Sequence, residues 1–208
     1  MKERPILFSA PMVRALLDGS KTQTRRIVKP QPPHADAILQ HHDGVYLAWD
    51  DKAGQVMDVG SWKCPYGQPG DRLWVRESFM PAPLETPPEV PRPTRWNFAY
   101  AAGGQAEIQA PASYNPMLYN YERWSPSIHM PRWASRINLE VTDVRVERLQ
   151  EISEADAIAE GCKNSLHLTG GRFANENYAH LWETINGDGS WLANPWVWVI
   201  EFQQIPLK

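Results

Sequence analysis

The sequence predicts an α+β fold that is mainly β: a small β-barrel with short flanking helices. Three observations carry this. Short alternating or apolar runs recur at 5–8, 45–49, 55–59, 72–79, 95–101, 137–147 and 196–202. Helical patterns are few and short, at 11–18, 153–160 and 173–185. The two kinds of segment do not alternate regularly, which argues against a doubly wound parallel sheet.

The elements follow in order. Pro5-Ile6-Leu7-Phe8 reads as a short buried strand. Pro11 suits a first helical turn, Met12, Ala15 and Leu16 share a face, and Gly19 supplies the stop. The polar, cationic run Ser20-Lys21-Thr22-Gln23-Thr24-Arg25-Arg26 follows, and Pro30-Gln31-Pro32-Pro33 ends it. Segments 45–49 and 55–59 pair as a hairpin across Asp50 to Gly54. After a turn at 67–71, residues 72–79 alternate. Leu73, Val75 and Glu77 point one way; Trp74, Arg76 and Ser78 point the other. Residues 80–95 are rich in proline and read as an irregular surface excursion. Residues 95–101 read as another strand, 103–125 give a weak signal, and 137–147 form the clearest strand. Ser153-Glu154-Ala155-Asp156 is a capping box with Asp in the usual Glu position; it opens a helix to Glu160 that Gly161 stops. Phe173 to Ile185 carries an apolar stripe of Phe173, Tyr178, Leu181, Trp182 and Ile185. Asn194-Pro195 breaks the chain before a closing strand at 196–202.

Length and composition bound the function. At 208 residues the chain suits one domain, 1–208, with a Pro-rich insertion at about 80–130. A net charge of −3 means that any nucleic-acid binding comes from a local basic cleft, not from the field of the whole molecule. Arg25, Arg26, Arg76, Arg132 and Arg136 are the candidates for that cleft; the competing fate of each is a carboxylate partner on the protein. Trp74 and Trp133 are candidates to stack a base, against a plain packing role. Glu77, on the inward face of its strand, is either a buried hydrogen-bonded carboxylate or a pocket residue. Cys64 and Cys162 lie in no metal-ligand or redox pattern, and His41-His42 reads as a polar loop pair. No metal or cofactor is expected. The absence of an apolar N-terminal run or a membrane-length segment predicts a cytoplasmic chain with no membrane partner. Protein partners are not legible.

Several of these pieces, in order, resemble the ASCH domains, relatives of the PUA-like RNA-binding barrel. They are the helix ending at Gly19 followed by Lys21-Thr22-Gln23-Thr24-Arg25; Gly70-Asp71-Arg72-Leu73-Trp74-Val75-Arg76-Glu77; the strand from Ile137; Ile152-Ser153-Glu154-Ala155-Asp156 with Glu160-Gly161; and Trp198-Val199-Ile200-Glu201-Phe202. The tract Ser127 to Arg136 is similar to longer members found in phages and prophages. The resemblance implies a PUA-like barrel and the handling of RNA, a nucleoside or a nucleotide in a cleft between barrel and helices. One branch, the bacterial N4-acetylcytidine amidohydrolases, uses a Lys, a Thr three residues later and a distant Glu. On this chain these fall on Lys21, Thr24 and Glu160, with Thr22 in the same run. The resemblance implies amidohydrolysis of an N-acylated cytosine derivative. Thr24 would need a base, Lys21 would serve only if deprotonated, and Glu160 would orient Lys21 or move a proton. A non-catalytic RNA-binding module and a ribonuclease are the other readings.

Overall fold

The computed structural model describes residues 1–32, 35–52, 54–81, 95–114, 123–163 and 173–206. Its elements are β1 (Glu3–Leu7), α1 (Ala10–Leu17), β2 (Gln23–Ile27), β3 (Ala37–Gln40), β4 (Val45–Asp50), β5 (Gln55–Lys63), β6 (Arg72–Arg76), β7 (Phe79–Pro81), β8 (Arg95–Tyr100), β9 (Gln105–Gln109), β10 (Asn138–Arg148), α2 (Glu154–Ala159), α3 (Ala174–Asn186) and β11 (Trp196–Ile205). The fold is α+β and mainly β, as the sequence predicts.

Alternation decides the main sheet. Leu73 and Val75 of β6, and Leu139 and Val141 of β10, turn the same way and are almost completely buried. Five strands pair in the order β1-β6-β10-β11-β2; β1 and β6 run parallel and the other neighbours antiparallel. Strand β11 is buried on both faces, which is why its sequence reads as a continuous apolar run. Trp196, Trp198 and Ile200 join the principal core, while Val197 and Val199 pack with Ala157, Tyr178 and Trp182 of α2 and α3.

A barrel is where the expectation fails. Among the described residues the strands form three separate sheets, and none closes on itself. The two edges of the main sheet do approach each other. The Arg26 guanidinium on β2 donates to the Leu7 carbonyl at the end of β1, at 2.8 Å. Helix α1 joins these edges, and the run after it gives its amides elsewhere: Lys21 to Ala15 of α1 and Thr22 to Ala159 of α2. A helix and a side chain therefore span the gap that a ladder would fill in a closed barrel.

The second sheet, β3-β4-β5, contains the predicted hairpin plus the unpredicted β3. Tyr46 fastens it to the main core by donating to the Val144 carbonyl at 2.6 Å and meeting Trp198 edge-on. The third sheet, β7-β8-β9, has its own core of Phe79, Trp96, Phe98, Tyr100, Met130 and Ala134. The run predicted as one strand at 72–79 is split: β6 ends at Arg76, and Phe79 opens β7 in the third sheet. Of the Pro-rich excursion, Met80 and Pro81 belong to β7 and Arg95 to β8, while 82–94 lie outside the described residues. Strand β9 falls in the stretch of weak signal. Among the described residues no helix is long and apolar enough to cross a membrane.

The capping box at α2 forms as expected. Ser153 Oγ accepts the Asp156 amide at 3.1 Å, and the Asp156 carboxylate accepts the Ser153 amide at 3.2 Å. At its other end Gly161, with φ of +92°, turns the chain so tightly that an added Cβ would lie 3.0 Å from Ala15 Cβ and 3.4 Å from Lys21 Cβ. Gly187 has a similar φ of +95° but open space around it. Gly161→Ala is therefore expected to cost about 2–3 kcal/mol, and Gly187→Ala about 1 kcal/mol. Urea denaturation of both variants checks the difference, which isolates the contact between α2 and the α1–β2 turn from the backbone effect.

Candidate active site

The turn after α1 delivers Lys21 beside the C-terminal end of α2, where Lys21 and Glu160 form an isolated antiparallel bridge. Both residues are buried. Lys21 Nζ donates to Glu160 Oε2 at 2.6 Å, to the Glu160 carbonyl at 2.9 Å and to the Gln23 carbonyl at 2.7 Å. Three acceptors match the three protons of an ammonium. Burial pulls the Lys21 ammonium below the ordinary lysine range, and the adjacent Glu160 carboxylate restores only part of the shift.

Arg25 reaches the same cluster from β2. Its side chain is fully buried and meets Glu147 at 3.0 Å, Asp156 at 3.4 Å and Glu160 Oε1 at 3.8 Å. The last distance is an ion pair too long for a hydrogen bond. Arg145 then ties Asp156 and Glu147 to Glu201. Burial raises Asp156, but bonds from Ser153 and the charge of Arg25 outweigh it and hold the carboxyl below its usual range.

A narrow slot of about 60 Å³ opens between β2 and α3, lined by Thr24, Arg25, Glu160, Tyr178 and Trp182 among others. Its walls carry an unusual concentration of buried polar atoms without hydrogen-bond partners: Thr24 Oγ1, Arg25 Nε and Nη1, Glu160 Oε1 and Trp182 Nε1. Buried polar groups are otherwise almost always paired, so the cluster has hydrogen-bonding capacity for water or a polar ligand. Burial, and secondly the charge of Glu160, hold the Tyr178 phenol well above its ordinary range, so it stays protonated.

The sequence-predicted residues divide among different places. Thr24, Arg25, Arg26 and Glu160 share the slot; Lys21 lies behind its wall, bonded to Glu160. Thr22 is exposed and uses its backbone to join Ala159 and Phe202. Arg132 and Arg136 line a different cleft of about 640 Å³, with Trp133, Arg72 and Asn138. Arg132 pairs there with Glu3, and Arg136 forms a two-pronged bond to the buried Glu77 at 2.8 and 3.0 Å. Glu77 is thus the buried, hydrogen-bonded carboxylate of the two alternatives. Arg76 bonds the Met130 carbonyl and lies over Trp74, with Arg132 on the same ring. Trp74 is consequently covered. Trp133 packs edge-on against Phe98 and Tyr114. The five arginines do not gather in one basic cleft.

Sequence reasoning did not assign Tyr178 and Trp182 to the site. The apolar stripe of α3 marked them as core, and they do pack the core while also facing the slot. Asp156 was legible only as a cap. Comparison of the chain with protein-family models, with curated proteins and with solved structures finds no match.

Lys21→Met strands the Glu160 carboxylate in the interior, with Arg25 3.8 Å away as its remaining counter-charge. The expected loss of stability is about 3–5 kcal/mol. Combining Lys21→Met with Glu160→Leu should restore much of it, because the uncompensated charge is gone. Denaturant titration of the single and double variants checks both outcomes.

Proposed function

We propose that this protein is an amidohydrolase that removes a small acyl group from the exocyclic amine of a cytosine derivative. The observation that carries the reading is the group of buried polar atoms without hydrogen bonds around the slot, with the Glu160 Oε1 carboxylate oxygen beside Arg25 and Thr24 in the same lining. The ordered resemblance at Lys21, Thr24 and Glu160 supports the same chemistry and supplies the substrate class. The slot's volume of about 60 Å³ suits a small acyl group and leaves the rest of the substrate outside.

In this reading Glu160 Oε1 takes a proton from a water that attacks the acyl carbon. The Thr24 hydroxyl and the free N–H groups of Arg25 donate to the oxyanion that develops on the acyl oxygen. The tetrahedral intermediate then collapses, the C–N bond breaks, and Glu160 returns the proton to the leaving amine. The products are a carboxylic acid and the free cytosine amine. Lys21 is a positioning residue: its ammonium holds Glu160 Oε2 and leaves Oε1 for the water. This allots the base role to Glu160, because the Nζ protons of Lys21 are already engaged and its side chain does not line the slot. A purely RNA-binding module draws less support, since Arg25, Arg132 and Arg136 are already paired with carboxylates.

Incubation with a panel of N4-acylated cytidines, followed by mass spectrometry, tests the proposal. Cytidine and the free acid should accumulate, faster for acetyl than for bulky acyl groups. Glu160→Gln should lower kcat about 100-fold or more with little change in KM. Thr24→Ser should keep part of the activity and Thr24→Val almost none. Absence of turnover across the panel would contradict the proposal.

A further inference from the structure

A second opening adjoins the slot and shares Arg26, Ile27 and Asn186 with it. It is a groove of about 360 Å³ between the end of β2 and the segment that follows β5, also lined by Lys29, Lys63, Tyr66 and Trp198. That volume lies in the range of small-molecule sites, roughly 300–1,000 Å³. Its charge sets it apart. Arg26, Lys29 and Lys63 line it, and no carboxylate does. Among the described ion pairs none involves these three cations, which is equally true of Lys2, Arg4, Arg72, Arg76 and Arg148; the groove differs in bringing three cations into one lining without an acid. Arg26 is held in place by its bond to the Leu7 carbonyl and by the face of Phe8. In a chain of net charge −3, three cations in a lining without a carboxylate make this groove locally positive.

We infer that this groove receives a phosphate group of the substrate, so that the molecule whose acyl group enters the slot is a nucleotide or an RNA strand and not a neutral nucleoside. The inference rests on the amidohydrolase reading for the position of the acyl group. The groove itself rests on its own observation, three cations in one lining that holds no carboxylate. Tyr66, partly exposed, gives it an aromatic side suited to the sugar or base that must connect phosphate to amine.

Calorimetric binding of N4-acetylcytidine and of its 5′-monophosphate to the Glu160→Gln protein, at low and high salt, is the test, with turnover of the same compounds followed in the native protein. The monophosphate is expected to bind about tenfold more tightly at low salt, and the advantage should shrink as salt rises. Lys29→Gln combined with Lys63→Gln should remove the advantage while leaving the affinity for the neutral nucleoside unchanged. Both lysines are exposed, so the fold should tolerate the change. Short single-stranded RNA carrying one N4-acetylcytidine separates the two sources of phosphate. A steeper salt dependence than that of the monophosphate assigns the strand; an equal one assigns the free nucleotide. Equal affinity for nucleoside and monophosphate, or a preference unmoved by the lysine variants, overturns the groove, even if N4-acetylcytidine is hydrolysed. A phosphate preference that depends on the lysines, in a protein that hydrolyses none of the probes, keeps the groove and overturns the amidohydrolase reading instead.

Discussion

The buried contact between Lys21 and Glu160 joins two parts of the chain separated by 139 positions. A lysine and a glutamate withdrawn from water each carry a desolvation cost of several kcal/mol, offset only if their geometry is nearly complete. The surroundings provide that completion. Gly19 releases the chain from α1 so that Lys21 can turn inward, and Gly161 lets the end of α2 approach within van der Waals distance of Ala15. The Gln23 and Glu160 carbonyls take the remaining ammonium protons. Two helices and an edge strand are thereby fixed around one ion pair. The slot lies between that edge strand and α3.

The site lies where α3 packs on one face of the main sheet beside its edge strand β2: Ile27 of β2 and Val197 and Val199 of β11 share a core with Tyr178 and Trp182. The α3 residues Tyr178, Leu181, Trp182 and Ile185 form the wall of the slot opposite β2. They cover the strand with apolar surface while leaving room for a small polar group. The same arrangement leaves Arg26 able to reach Leu7 and to face the cationic groove. The third sheet lies apart from this machinery. Its contribution is a second, larger cleft in which the arginines are largely neutralised by Glu3 and Glu77.

Local rules made much of this legible in the sequence. Ser153 and Asp156 satisfy each other within four residues, so the start of α2 could be read directly. The alternation of β10 and the apolar stripe of α3 are likewise local, and both elements form where the pattern puts them. Strand β3 escaped notice because its four residues pair with β4 through backbone bonds and carry too short a pattern to register. The fates of the arginines were not legible, because each depends on a carboxylate far along the chain: Arg25 on Glu147, Arg136 on Glu77, Arg132 on Glu3. A cationic run such as Lys21 to Arg26 reads as a solvated surface. The structure instead buries Lys21 and Arg25 by surrounding them with acids from β10 and α2. Glu160 was found through resemblance, and its proximity to Lys21 through geometry.

The central claim is that the slot between β2 and α3 holds the reacting acyl group, with its oxygen toward Thr24 and Arg25 and its carbon within reach of a water held by Glu160 Oε1. A crystal structure of the Glu160→Gln protein with N4-acetylcytidine 5′-monophosphate measures this directly. The account predicts the acetyl group inside the slot, its oxygen within about 3 Å of Thr24 Oγ1 or an Arg25 nitrogen. An acetyl group directed into solvent, or a ligand seated instead in the cleft of Arg72, Arg132 and Arg136, would contradict it.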